Sequence, residues 1–499
     1  MLSPPPSVPH RLLPRQSLAR FLRFLLPSFV ADHIFPDHRT TYRVHPTSYL
    51  DGLRGIAAII VFFCHYTENN FSALTPSYGL NHDRSSSLVQ LPFFRIIFSG
   101  RPMVHIFFVI SGFVLSYKPV KALHARDLEK CYTTLASSTF RRAFRLFGPC
   151  IVSTFMILCL RQMGYLKPAK ATLIEELWKW KHAAFHQITW PWAWDRDLTP
   201  AYDIHLWTIP IEFAHSMLLF MVLLMLSRVK LHVRMGSVLG LMGYCLMCGK
   251  WAGFEFLTGL FLAEIFVLKG AGEKQQQKDW ETGKDGQGDE VAMGTMVKKG
   301  FQVGVILLGL FIGGWPNHGA DKTPGIAWFL ERTPLPFAAM DHLAPQKFWF
   351  GLSAGFTVWA VGELEFLRKF FEGPVAQYCG RISYAVYIVH GPVMDLFQGF
   401  VLGHGAIPAH GEPGEEGYKQ AMAETGVKGY FGVKSTTQIT VSWFVGLWLL
   451  GPLVIWAADV FWRGVDNRIV DWGKRLEGWC LDEESERGDG PRGMGYGAV

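Results

Sequence analysis

The chain has little charge. Lys, Arg, Asp and Glu make up 18% of its 499 residues, where a soluble protein of this size carries roughly a quarter. Cysteine offers no framework either. The eight cysteines are scattered without regular spacing, and Cys64, Cys150, Cys159, Cys245 and Cys248 fall in apolar stretches. Cys245 and Cys248 have CxxC spacing but no second pair and no nearby histidine, so neither a disulfide scaffold nor a zinc site is implied. Also missing are a Walker loop, an HExxH pair and a dinucleotide fingerprint followed by a fold that could use it, and the GxSxG spacing at 351–355 falls inside an apolar window rather than at a strand-to-helix elbow. That removes the common hydrolase, nucleotide-loop and metalloprotease readings. No internal repeat is visible, which counts against a carrier built from paired halves.

What the sequence does have is hydrophobic length. Hydrophobic residues make up 49% of the chain, with 39 Phe and 18 Trp. Mostly apolar windows cover 49–67, 103–120, 145–162, 205–227, 235–249, 252–268, 300–316, 348–366, 382–402 and 437–458. Windows of this kind predict an all-α fold, a polytopic transmembrane helical bundle of about ten spans. Residues 49–460 form the membrane domain. Residues 1–48 are an N-terminal cytosolic segment, in which "FLRFLLPSFVADHIF" (21–35) reads as an interfacial helix. The polar stretch 269–299 reads as a flexible cytosolic loop, and 461–499 as a short cytosolic tail.

A net charge of +7 raises the question of nucleic acid. The basic residues, however, are spread over the segments that flank the spans. With both termini cytosolic, 31 lysines and arginines lie on the cytosolic side against 15 on the other, as the positive-inside rule requires. The expected partner is the lipid bilayer, with no nucleic acid. The sequon at Asn70, Phe71 and Ser72 then falls on the lumenal side.

Within the first window, "YLDGLRGIAAIIVFFCHYTENN", Arg54 and His65 bracket ten uncharged residues. Eleven residues of helix turn through about 1100° and rise roughly 16 Å, so the two lie near one azimuth at opposite ends of the span. Asp51 is one turn below Arg54 and can pair with it. A neutral imidazole can take a proton from an alcohol, and an arginine can hold an anion; snorkelling anchors at the two membrane faces are the structural alternative. In "GRPMVHIFFVISGFVLSYKP" (100–119), His105 is near the lumenal end. Gly112 permits a close helix contact, and Ser111 and Ser116 can bond across helices. In "FRRAFRLFGP" (140–149), Arg141, Arg142 and Arg145 make a site for an anionic nucleotide or phosphate donor. In "HLWTIPIEFAHSMLLF" (205–220), Glu212 is two turns from His205 and one from His215, so the three can share a broad face. A carboxylate so near the apolar body of a span needs a partner. In "GRISYAVYIVHGPV" (380–393), Ser383 and Tyr384 lie near the cytosolic end and His390 is deeper.

In their order, these five segments resemble the acyltransferase-3 family of multi-pass membrane O-acyltransferases, in its fungal form. The family patterns "LDGLRGIAALxVxxxH", "FFVLSGFxLS", "RRxxRLxP", "WSLxVE" and "GxISYxxYLxH" correspond to residues 50–65, 107–116, 141–149, 207–212 and 380–390. Thr208, Pro210 and Phe213 depart from the fourth pattern, and Pro149 is displaced by one residue in the third. The resemblance implies transfer of an acyl group, usually acetyl, from a cytosolic acyl-CoA to a hydroxyl of a small-molecule, lipid or sugar acceptor, with no tightly bound cofactor and no metal. It implies His65 as base or acyl relay, with Arg54, Asp51 and Glu212 completing the catalytic set. Arg141, Arg142, Arg145, Ser383 and Tyr384 are expected to contact the CoA donor, and His105, His205 and His390 the acceptor. The expected location is the endoplasmic reticulum or another endomembrane. The competing reading is a transporter or flippase of small polar or lipid substrates.

Overall fold

In hydrocarbon a backbone finds no water, so a spanning segment must close its hydrogen bonds within itself, which a helix does. The fold follows that rule. The computed structural model describes residues 22–35, 44–80, 86–166, 172–194, 198–281, 290–403 and 426–481. Among them there is no strand, and an isolated bridge joins Pro76 to His318.

The helices begin with α1 (Ser28–Ile34), α2 (Ser48–Asn70), α3 (Gly100–His124), α4 (Leu128–Gln162) and α5 (Leu173–Ala183). Next come α6 (Thr208–Met225), α7 (Leu231–Met247), α8 (Trp251–Glu281), α9 (Glu290–Gly313) and α10 (Ala344–Glu363). Then follow α11 (Glu365–Glu372), α12 (Pro374–Leu402), α13 (Thr436–Phe461) and α14 (Asn467–Cys480), with two unlabelled six-residue helices, Ile326–Glu331 before α10 and Gly426–Phe431 before α13. All ten predicted windows fold as helix. Eight helices among the described residues are long and apolar enough to cross a membrane. The window at 235–249 lies in α7, which has 17 residues. At about 1.5 Å per residue, α7 is shorter than a typical bilayer core of about 30 Å.

Two expectations change. The loop predicted over 269–299 is helical at both ends, because α8 continues to Glu281 and α9 starts at Glu290. Lys, Gln and Glu are good helix formers and extend a helix already nucleated in the span. Residues 282–289 lie outside the described residues, as do 404–425 of the Gly-rich loop. The tail likewise contains α14, although 482–499 are not described.

The chain divides into two compact units. The first comprises Met1–Ile106, Thr295–Thr333 and Leu352–Gly464, and the second Phe107–Gly294, Pro334–Gly351 and Val465–Val499.

In the first unit, α2 and α12 approach backbone to backbone. A Cβ on Gly55 would collide with Gly380 and Cys379, and one on Gly380 with the Asp51 carbonyl. Glycine is therefore needed on both helices, and the contact brings Arg54 within reach of α12. At the other end of α2, the Tyr66 hydroxyl donates to the Trp443 carbonyl of α13 (3.1 Å), and the Trp443 indole donates to Thr67 Oγ1 (2.8 Å). The N-terminal segment is anchored through Asp459, buried in α13. Its carboxylate accepts from Ser28 N (3.0 Å), Ser28 Oγ (2.5 Å), Tyr378 (2.9 Å) and Arg463 Nε (2.6 Å). Four donors offset the cost of placing that charge in an apolar helix. In the loop after α2, buried Arg95 donates to the Thr75 and Pro76 carbonyls, and burial pulls its pKa down to about 10. The sequon asparagine, Asn70, donates its side-chain amide to the Tyr66 carbonyl (3.1 Å) and to Gln398 (3.0 Å).

In the second unit, the predicted close contact at Gly112 is made with α8. A Cβ on Gly112 would meet the Phe256 carbonyl, and one on Gly259 the Val109 carbonyl. Phe108 stacks on Trp251 with centroids 5.4 Å apart. Glu264 of α8 is buried between Arg234, at 2.5 and 3.2 Å, and His124, at 2.7 Å. Helix α14 packs on α4. Ile469 lies against Gly148, Trp472 meets Phe144 edge to face at 5.3 Å, and Glu477 pairs with Arg141 at 3.0 Å.

Candidate active site

The first unit carries a polar line along the α2–α12 interface. At its lower end Arg54 Nη2 meets Asp51 Oδ1 at 3.1 Å, the i,i+3 pairing that the spacing predicts. Arg54 also crosses to α12. Its Nε donates to Ser383 Oγ (3.0 Å) and its Nη2 to the Gly380 carbonyl (3.2 Å). Ser383 in turn donates to that same carbonyl at 2.9 Å. Asp51, Arg54 and Ser383 thus form one hydrogen-bonded group, with half-buried Tyr384 the next residue on α12.

At the upper end His65 meets His390, also of α12. The two rings stack nearly parallel, with centroids 5.4 Å apart and planes at 18°. His390 is fully buried, and its Nδ1 lies 3.0 Å from the Val386 carbonyl. A carbonyl only accepts, so Nδ1 carries the proton and Nε2 the lone pair. His65 is half-buried, and its Nδ1 lies 3.6 Å from Glu68 Oε2. Glu68 accepts from Asn317 (2.6 Å) and has Arg101 at 3.9 Å. Sequence reasoning did not single out Glu68, although an acid three residues after a candidate base is a visible signal. His105 is buried in the first turns of α3.

The second unit holds the other predicted residues, centred on Glu212. Glu212 Oε1 accepts from Arg142 Nη2 (2.7 Å) and Ser111 Oγ (2.9 Å), which keys α3, α4 and α6 together. Arg142 Nε donates to Ser216 Oγ at 3.0 Å. Pro210 stands in the first turn of α6, where a proline removes no helical hydrogen bond. Ser116, predicted to bond across helices, is buried with no hydrogen-bond partner for its hydroxyl among the described residues.

Glu212 and His215, three residues apart, belong to α6, whereas His205, expected on the same face, lies outside that helix. His205 precedes α6 in a 3-10 turn and bonds through Nδ1 to buried Asp203 at 2.8 Å. His215 turns back to the Ile211 carbonyl at 2.9 Å, with Trp194 edge-on to its ring at 5.9 Å. A local helical carbonyl, always one turn away, satisfies it within α6. The arginine cluster is also divided. Arg142 is engaged by Glu212, and Arg141 by Glu477 and Ser137, whereas Arg145 is exposed. Asp203, like the buried acids Asp459 and Glu264, was absent from the sequence reading. A carboxylate in an apolar stretch was the available signal.

Comparison with known proteins gives a consistent result. The family model described as an acyltransferase domain, acyltransferase-3, matches residues 47–463. O-acetyltransferase PaAT-1 of Phomopsis amygdali is 30% identical, over 81% of this chain and 82% of its own length. Acyltransferase clz18 of Cochliobolus lunatus is 26% identical, over 69% of this chain and 82% of its own. Acyltransferase R4 of a Phoma species is 24% identical, over 69% and 82% respectively. No solved structure matches the chain.

Proposed function

The chain belongs to the acyltransferase-3 family, and from that premise we propose that it is a membrane O-acyltransferase that moves an acetyl group from acetyl-CoA to a hydroxyl-bearing small-molecule, lipid or sugar acceptor. The observation that carries this reading is the double anchoring of α2 on α12. Arg54 is docked on Gly380 and Ser383, and His65 is stacked on His390. Two polar groups separated by roughly 16 Å of helix suit a donor with a long, thin pantetheine arm that passes Arg54 and presents its thioester to His65. The acetyl specificity has its support in the O-acetyltransferase among its relatives.

In the proposed reaction His65 Nε2 accepts the proton of the acceptor hydroxyl, and the oxygen attacks the thioester carbonyl carbon. The new C–O bond forms, the C–S bond breaks, and the departing CoA thiolate takes the proton back from the imidazolium. One ester and one free thiol result, and the enzyme is unchanged. His390, stacked on His65, is assigned to the acceptor. Arg141 and Arg142 are engaged by carboxylates, and Arg145 is the exposed arginine of that segment. On the same reading both termini face the cytosol from the endoplasmic reticulum or a related membrane, supported by the bias in basic residues.

The test is thiol release from labelled acetyl-CoA in membranes carrying the wild type or His65→Ala. Loss of a general base predicts a fall of about 10²–10⁴-fold. Undiminished release in the variant refutes the assignment of His65. Uptake of labelled solute without thiol release favours a carrier.

A further inference from the structure

Glu68 is out of place unless something employs it. It sits two residues from the end of α2, where the carbonyl end of the helix carries partial negative charge and disfavours an acid. It is nevertheless held from two other segments, by Asn317, which follows α9, and by Arg101 in the first turn of α3. On α2 it faces His65, one turn away, and Cys64.

We propose that Glu68 is the positioning carboxylate of His65, a proposal that rests on His65 being the base. The Nδ1–H of His65 points to Glu68, so the lone pair stays on Nε2, the atom that receives the hydroxyl proton. When the imidazolium forms, the adjacent carboxylate stabilises it. Glu68 remains an anion throughout, and Asn317 and Arg101 hold it there. At 3.6 Å the contact is longer than a direct hydrogen bond, and contacts of this kind tighten when substrate binds. Charged and titratable groups of the first unit around the pair include His390 from α12, Arg101 from α3, Arg95 from the loop before it and Cys64 on α2.

The experiment uses the full-length protein in nanodiscs and follows thiol release from acetyl-CoA with water as acceptor. Glu68→Gln preserves shape and removes charge. We expect its kcat to fall at least about tenfold with KM for acetyl-CoA unchanged. The acidic limb of its kcat/KM profile moves to lower pH, because the imidazolium has lost its neighbouring anion, and Glu68→Asp returns the limb toward the wild-type position. Arg101→Gln, which removes positive charge beside Glu68, moves the limb to higher pH and serves as the second probe should Glu68→Gln not fold. A limb that stays fixed in these variants means that Glu68 only pins the end of α2, and overturns the proposal. If His65→Ala is inactive in that case, the base assignment survives. An active His65→Ala overturns both.

Discussion

One polar pairing in each unit differs from the other in exposure. In the first, Arg54 and His65 leave 33% and 30% of their side chains exposed. In the second, Arg142 and Glu212 leave 10% and 16% and meet at 2.7 Å, with serines bonded to both. A half-exposed imidazole beside a carboxylate can exchange a proton with a bound molecule. A buried guanidinium paired with a carboxylate ties α4 to α6.

The comparison can be broken most forcefully at the buried pair. Glu212→Ala leaves the Arg142 charge uncompensated and should lower stability by about 3–5 kcal/mol, read as loss of monodisperse protein and a lower melting temperature in detergent. Arg142→Met combined with Glu212→Leu should recover most of that loss, since an apolar pair suits the same volume. A Glu212→Ala protein as stable as the wild type would show that the second unit's pair does not hold its helices. Arg54→Lys tests the first unit. It retains the charge but loses the fork that reaches Gly380 and Ser383. Thiol release should drop about tenfold while stability changes by less than about 1 kcal/mol, as for other partly exposed ion pairs. Equal losses of activity and stability would erase the distinction between the units.

The smallest effect concerns Lys428, outside the spans, which burial pulls down from 10.5 to about 8 and which lies 4.9 Å over the Phe71 ring. Between those two values the unfolded chain holds more protons than the folded one, so stability rises with pH across the window and is lost as pH falls through about 8. The melting temperature should climb by about one degree between roughly pH 7 and pH 10, and Lys428→Met should flatten that slope. A wild-type curve already flat would remove Lys428 from the account.

Much of the fold was legible because each window is apolar nearly throughout, and hydrocarbon leaves such a segment no alternative to helix. The ends were less so. Helix α4 begins at Leu128, far ahead of the apolar window at 145, because its first turns are amphipathic and polar; Asp127, whose side chain accepts from Lys130 N at 2.9 Å, was the capping signal. Within the site, the spacing of Arg54 and His65 and the pairing with Asp51 are local properties of one helix and could be read directly. The partners of Arg141 and Arg142 could not, because Glu477 and Glu212 reach them from distant parts of the chain.

The sequence by itself determined the membrane class, the positions of the helices and the line of Arg54 and His65 along one of them, since these follow from hydropathy and the pitch of an α-helix. Only the tertiary structure decided which charge neutralises which. That outcome depends on where backbones come close, as at Gly55 and Gly380 or Gly112 and Gly259. A buried ion is stabilised by whichever partner the packing brings within a few ångströms, however far away it lies in the chain.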